Sequence, residues 1–402
     1  MHCKRISNLK KHWFTGGKLL SIFINKIGEI RHVSVVGELV SKNQSEYLCS
    51  LIEENQGFGS HITFFDANIV PVEVVEKLFD YQKKRGFKIF VLKTYLYSYF
   101  YNLGVKCTYI KNKSILKGSS MLHLSKAKYK GFNEEQVVRL LKNIKEKYGY
   151  DYMGYHIESI MRRIKISMLR YGIDDFSEFM DVVIEEQGIF EQLFLDLSIN
   201  ITEFFRDTEV FYQIKNNVLP YLNSYSHVKI WCVGCSNGKE PYSLAILLYE
   251  LGMLDKSQVY ATDLNPYVIE EAKNGLYSIN TFEKDKINYL KSGGAKSFSH
   301  YFDYNSRYIK VKDFLKEKVL FFQHSLEGNG ILNEFELIIC RNVLIYFNID
   351  MQKKVIEYFY NSLDLSGFLI LGKSEGMLQN NGYKYFDKHD EIHRIYRRRS
   401  FD

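Results

Sequence analysis

The sequence has little of what marks a secreted, membrane-spanning or disordered protein. Its 402 residues include only 4 prolines, 2 tryptophans and 6 cysteines. So little proline, beside 46% hydrophobic and 25% charged residues, excludes tract disorder and a collagen-like chain. The cysteines (Cys3, Cys49, Cys107, Cys232, Cys235 and Cys340) are too sparse to staple a small domain, and most lie inside apolar runs. That usage predicts a reducing, cytoplasmic setting. No stretch approaches the roughly 18–20 consecutive apolar residues that a membrane span needs, so none is expected. The first residues, with Lys4, Arg5, Lys10 and Lys11 ahead of Trp13 and Phe14, lack the apolar core and cleavage site of a leader. A strong excess of one charge is missing too. Lys+Arg number 54 against 47 Asp+Glu; residues 1–120 hold 18 and 9 of these, which leaves 36 against 38 for the rest. A basic surplus confined to the N-terminal third argues against a dedicated nucleic-acid protein, and no nucleic-acid partner is expected.

What is present is enough chain for two or three domains with cores of their own. Residues 22–40 alternate as strands do, and a helical stretch follows from Ser45 to Glu54. A short strand at Ile62–Phe65, a helix over Val70–Lys84, a strand at Phe87–Leu92 and a helix over Leu96–Leu103 complete a small α/β domain within residues 1–112. In element order it resembles the anti-sigma-factor-antagonist (STAS) fold, a protein-binding domain, which implies a regulatory partner. Residues 113–132 are basic and rich in small side chains, as a linker would be.

Helices dominate residues 133–198. Asn133 is placed to cap a helix with Gln136 as its third residue. The helix from Tyr155 to Leu169 sets Ile157, Ile160, Met161, Ile164 and Met168 on one face, opposite the basic Arg162, Arg163, Lys165 and the nearby Arg170. From Val228 the pattern becomes repeated β–α units with apolar strands, which predicts a mostly parallel sheet covered by helices on both faces. The expected strands are Lys229–Gly234, Gln258–Thr262, Lys318–Phe322, Phe335–Cys340 and Gly367–Gly372, with His393–Tyr396 at an edge. No internal repeat is apparent.

Two features of this last domain, residues 199–402, point to chemistry. A glycine turn, Gly234-x-x-x-Gly238, follows the first strand, and glycines let a chain approach a ligand closely at a helix start. Asp263 ends the second strand, where a carboxylate can accept hydrogen bonds from both hydroxyls of a ribose. The turn is not Gly-x-Gly-x-x-Gly, and Glu240 beside it would repel a pyrophosphate yet suit an ammonium. A phosphate-free, cationic nucleoside such as S-adenosylmethionine therefore fits better than a dinucleotide. Cys232-x-x-Cys235 has no neighbouring Cys/His pair to complete a zinc site, so no metal is expected.

Five separated segments extend that reading. Asn200-Ile-Thr-Glu-Phe-Phe-Arg-Asp207, Gly238-Lys-Glu-Pro-Tyr-Ser243, Ala261-Thr-Asp-Leu264, Cys340-Arg-Asn-Val-Leu-Ile-Tyr-Phe347 and Gly372-Lys-Ser-Glu-Gly376 resemble the signatures of the chemoreceptor glutamate methyltransferases, the CheR-type family. The resemblance covers about residues 130–400. It implies a helical domain followed by a Rossmann-like S-adenosylmethionine domain that esterifies glutamates on receptor signalling helices and releases S-adenosylhomocysteine. By position it implies that Asn200, Thr202 and Arg206 line the donor pocket with Gly234. Glu240 would hold donor polar groups, Asp263 the ribose, and Cys340 and Arg341 the far side. The family's Asn-Leu pair, which helps to hold the adenosine half, is Ser325-Leu326 here; a hydroxyl lacks the amide's reach. Residues 302–311 fall where some members carry a small accessory sheet that grips a receptor tail.

The reaction asks little of acid–base groups, because a glutamate carboxylate is already ionised and a sulfonium already electrophilic. In-line displacement needs placement. Arg206, whose planar fork can clamp a carboxylate, and Tyr346, whose hydroxyl can steer one, are the expected catalytic residues. The basic helix would steer encounter with an acidic helical substrate. Three other readings stand beside this one: a methyltransferase for another protein acceptor, a donor-binding adaptor without turnover, and, most weakly, a nucleic-acid methyltransferase. The last has no Asn-Pro-Pro-Tyr motif in the chain to support it.

Overall fold

The computed structural model describes residues 9–15, 18–27, 30–36, 39, 42–54, 61–64, 70–82, 87–91, 96–97, 99–100, 103, 105–109, 131–171, 173–198, 202–305, 308–327, 334–377 and 382–400. They fall into two compact units.

The first unit is a six-stranded sheet in sequential order. Strands β1 (Leu9–Thr15), β2 (Lys18–Ile27) and β3 (Ile30–Val36) run antiparallel. Strands β4 (His61–Phe64), β5 (Lys88–Val91) and β6 (Thr108–Tyr109) continue from β3 in parallel. Parallel neighbours need a crossover, which helices α1 (Lys42–Glu54) and α2 (Val72–Gln82) supply. Leu48, Leu51 and Ile52 of α1 and Val74, Val75 and Leu78 of α2 are buried, as are Val33, Val35, Ile62, Phe64, Ile89 and Val91 of the strands. The strand Leu9–Thr15 is absent from the sequence reading, because its Lys10-Lys11-His12 run hides any apolar alternation. Most of the expected linker lies outside the described residues.

The second unit opens with four helices: α3 (Glu134–Tyr148), α4 (Ile157–Tyr171), α5 (Phe176–Glu185) and α6 (Gln187–Leu197). The Asn133 cap forms as expected. Its side chain accepts from the Gln136 amide at 3.0 Å while its own amide donates to Gln136 Oε1 at 3.0 Å. Ile160, Ile164 and Met168 of α4 are buried against Leu140, Ile144, Phe179 and Leu193, with Ile157 and Met161 packed at the margin. The Arg170 side chain lies outside the described residues.

The chain then reaches a seven-stranded sheet: β7 (Val228–Val233), β8 (Ser257–Asp263), β9 (Val319–Gln323), β10 (Phe335–Cys340), β11 (Leu363–Leu371), β12 (Phe386–Asp390) and β13 (Ile395–Arg398). Its order is β9-β8-β7-β10-β11-β13-β12, parallel from β9 to β11. Strand β13 runs antiparallel to both of its neighbours. The sequence reading put this last strand at the edge. It lies one place inside, since Ile395 and Tyr396 are fully buried and Phe386–Asp390 covers them. Residues Phe302–Tyr304 pair antiparallel with Ile309–Val311, in the region where an accessory sheet was expected.

Local chemistry explains where helices start. Asn265 caps the helix Pro266–Asn274 by accepting from the Tyr267 amide at 2.9 Å; Pro266 fills the first turn, and Gly275 ends it at φ 63°. The sheet order reverses beside β7, whose neighbours are β8 on one side and β10 on the other. Helices departing in opposite directions leave a crevice at the carboxyl ends of these strands. The site lies there.

Candidate functional site

Strand β7 runs into Gly234 (φ 66°), Ser236 (φ 50°) and Gly238 (φ 90°) before the helix Lys239–Glu250 begins. A Cβ on Gly234 would sit 2.3 Å from Val343 Cγ2, so only glycine allows the loop after β10 to approach this closely. Asp263 ends β8 next to the turn. Its Oδ2 accepts from the Ser236 amide and its Oδ1 from the Asn265 amide, both at 2.9 Å. Burial pushes its carboxyl up, and the surrounding backbone N–H groups pull it back. The glycine turn and the acid thus form one structure, as their order in the chain predicted.

The Glu240 and Arg341 side chains, both largely buried, pair with each other. Arg341 Nη1 donates to Glu240 Oε2 at 2.6 Å, while Nη2 donates to Asp207 Oδ2 at 2.5 Å and to the Arg206 carbonyl at 2.8 Å. With its side chain 1% exposed, Arg341 ties the segment carrying Arg206 to the start of the Lys239–Glu250 helix. Burial raises the Glu240 carboxyl, opposed first by Arg341 and then by Arg206. Ser243 supports the same segment: its hydroxyl accepts from the Phe205 amide at 2.9 Å and donates to the Lys239 carbonyl at 2.7 Å. Cys340 is fully buried at the end of β10, with its thiol pushed far up by burial, and Cys232 and Cys235 share that condition.

One cleft, about 820 Å³ with the solvent it opens to, gathers Gly234, Asp263, Ser325, Leu326 and Tyr346. Tyr152 and Tyr155 of the helical domain form part of its wall. A narrower pocket continues past Tyr346 to His156, Ser159 and Arg163. Burial raises the Tyr346 phenol, while Arg163 and then Arg206 draw it down, so two guanidinium groups act on that hydroxyl. Arg163 is therefore more than part of a basic face: its Nη1 donates to the Asp196 and Leu197 carbonyls at 2.6 and 3.1 Å and holds it beside the cleft. Thr202 is half-buried and not among the lining residues, and Asn200 lies outside the described residues.

The sequence reading missed one buried acid. Glu375 gives Oε2 to the amides of Asn342 (2.9 Å) and Gly372 (2.6 Å) and Oε1 to those of Val343 (2.8 Å) and Ile345 (3.3 Å). One carboxylate thereby fixes the loop that carries Tyr346. The signal was its place in Gly372-Lys-Ser-Glu-Gly376, but partners some 30 residues away are invisible in sequence. Backbone strain gathers here as well. Of the five non-glycine residues with positive φ among those described, Phe205, Asp207, Ser236 and Asn342 belong to these loops; only Arg394 lies elsewhere.

Comparison with known proteins agrees with this geometry. The family model "CheR methyltransferase, SAM binding domain" matches residues 200–392, and "CheR methyltransferase, all-alpha domain" matches residues 135–198. The chain is 36% identical over 61% of its length to 90% of a Pseudomonas putida protein named "Putative methyltransferase Cher3". It is 28% identical over 63% of its length to 92% of a Borreliella burgdorferi protein named "Chemotaxis protein methyltransferase". Among solved structures, the N-methyltransferase NodS from Bradyrhizobium japonicum, with S-adenosyl-L-homocysteine, aligns over 49% of this chain and 91% of its own. That alignment has 10% identity and a TM-score of 0.27, too slight a likeness to bear on fold or function.

Proposed function

The chain belongs to the CheR methyltransferase family, and from that premise we propose that it transfers a methyl group from S-adenosylmethionine to glutamate side chains of chemoreceptor-type signalling helices. It is a methyltransferase with an S-adenosylmethionine-binding domain. The observation that carries the proposal is the joining of the glycine turn to Asp263 in the cleft that also holds Tyr346.

The residues present suit the donor. Beyond the Ser236 and Asn265 amides, the Asp263 carboxylate keeps acceptor capacity for the ribose. The cleft is also lined by Glu327, whose buried Oε1 has no hydrogen-bond partner. When bound, S-adenosylmethionine supplies an activated methyl carbon. The protein supplies position. Arg206 and Arg163 bring positive charge to the Tyr346 hydroxyl, and that trio would orient the attacking carboxylate without neutralising it. Arg341 holds the backbone of Arg206, and Glu375 holds the loop of Tyr346, so both groups are fixed before substrate arrives. Glu240, Cys340 and Arg341 fall to supporting roles behind the cleft wall. The exposed Arg162 and Lys165 on α4 would draw an acidic helix toward the opening.

In this reading residues 1–112 form a STAS-like, protein-binding module, residues 133–198 the substrate-facing helical domain and residues 199–402 the catalytic domain. The whole would act in the cytoplasm, where receptor signalling helices reside. Incubation with methyl-labelled donor and receptor signalling fragments tests the function. The expected product releases labelled methanol in alkali, as an ester must; alkali-stable label would point to another acceptor. Donor binding without label transfer would make the chain an adaptor.

A further inference from the structure

Resting on the donor reading for what fills the cleft, we propose that Glu327 is a donor-binding residue whose carboxylic acid, through Oε1, donates a hydrogen bond to a ring nitrogen of the adenine base. Glu327 follows Ser325-Leu326 in the turn after β9 and lines the same cleft as Gly234 and Asp263. It lies outside the segments on which the sequence reading rests, and nothing in the chain's motifs assigns it a role.

Three observations converge on it. First, Oε1 is buried and has no hydrogen-bond partner. The contrast with Asp263 of the same cleft is sharp, since both of its oxygens are engaged by backbone amides. Buried polar atoms are almost always paired in a native protein, so an unpartnered oxygen on a residue that lines both the donor cleft and the adjoining pocket of Gly154 and Met351 marks a place that a ligand atom can fill. Second, the acid is held in place. Its own amide donates to Ser325 Oγ at 3.2 Å, and Gly154 packs against its carboxyl group. The fit at Gly154 is close: a Cβ there would lie 3.1 Å from Oε1 and 2.8 Å from Met351 Cγ. Third, the surroundings favour the neutral acid. Burial and the nearby Asp151 raise its pKa to about 8 against the opposing pull of the Gly154 amide, Lys145 and Lys354, and the Tyr152 and Tyr155 phenols add no positive charge. A neutral carboxyl offers one O–H donor, which a carboxylate cannot. Adenine ring nitrogens are acceptors, so donor and acceptor match. Ser325, standing where the resemblance expected an amide, has only a single hydroxyl; Glu327 would add a second polar group two residues on.

The experiment is titration calorimetry of the full chain with S-adenosylhomocysteine between pH 6.5 and 9, for wild type, Glu327→Gln and Glu327→Leu. Ionisation removes the O–H, so with a pKa of about 8 wild-type affinity should fall by about fivefold between pH 8 and pH 9. Glu327→Gln keeps an N–H donor with no charge to gain; it should bind within about threefold of wild type at pH 7 and show no fall. Glu327→Leu should bind about tenfold more weakly at pH 7, equally without a fall. A deaza analogue lacking the ring nitrogen should lose affinity for wild type and none for Glu327→Leu. Wild-type affinity in Glu327→Leu at pH 7, or the same alkaline fall in Glu327→Gln as in wild type, would overturn the inference and leave the donor reading intact. No binding by the wild-type chain at any pH would overturn the donor reading, and this inference with it.

Discussion

Asp263 and Tyr346 do different work at the scale of single residues. Asp263 joins two backbone turns and still offers lone pairs to a ligand, so the Asp263→Asn change should act on both duties. Its new amide N–H would face a backbone N–H of Ser236 or Asn265, and one ribose contact would be lost. Losing one or two charge-assisted hydrogen bonds costs about 1.5–3 kcal/mol, hence about ten- to a hundredfold in donor affinity by calorimetry. Unchanged affinity would remove Asp263 from the ligand site. This residue was legible in the sequence because its meaning is local: a carboxylate at a strand end, following a glycine turn at the spacing of one β–α unit. Arg341 was legible only as a position. The sequence suggested a cleft residue, whereas Glu240 and Asp207 draw its guanidinium beneath the wall, because a buried cation must pair with whatever acids the fold brings near.

Among elements, the loop from Arg341 to Phe347 is the one most dependent on distant support. Glu375 satisfies three amide donors that the end of β10 leaves open and a fourth, Gly372, after β11, and the Arg341 side chain locks the opposite segment. In Glu375→Gln an amide NH2 would oppose two of those donors. The expected result is a fall in kcat/KM of at least about tenfold, with the loss greater in kcat than in donor affinity, because Tyr346 loses its fixed place while Asp263 keeps its own. Equal losses in both would mean a merely structural role. Arg341→Met leaves two acids uncompensated and should lower stability by about 3–5 kcal/mol in urea unfolding. Elements themselves were read well where capping and period agree, as at Asn133 and over Pro266–Asn274. They were missed where pairing decides. The strand Leu9–Thr15 exists through its register with β2, Trp13 opposite Leu20, and Ile395–Arg398 lies inside the sheet because Phe386–Asp390 pairs along its outer side.

At the scale of the whole molecule, the second unit carries the helical core and the sheet core by itself, with Leu140, Ile164 and Leu193 in one and Trp231, Ile338 and Leu369 in the other. A fragment of residues 131–402 should therefore fold and bind S-adenosylhomocysteine within about threefold of the full chain. Failure to unfold cooperatively, or loss of binding, would show that the first unit completes the enzyme. The division into β–α units followed from apolar strands and glycine turns, whereas the strand order, with its reversal beside β7, did not; the glycine turn and strand-end acid were therefore legible when most of the cleft wall was not. Tyr152, Tyr155, Arg163 and Glu327 reach it only through packing of helices against the sheet, which no local pattern encodes. The most direct test of the central claim is a crystal structure of the full chain with S-adenosylhomocysteine. Both ribose hydroxyls should lie on the Asp263 carboxylate, with the sulfur turned toward Tyr346 and Arg206. A ligand bound elsewhere, or with its ribose away from Asp263, would contradict it.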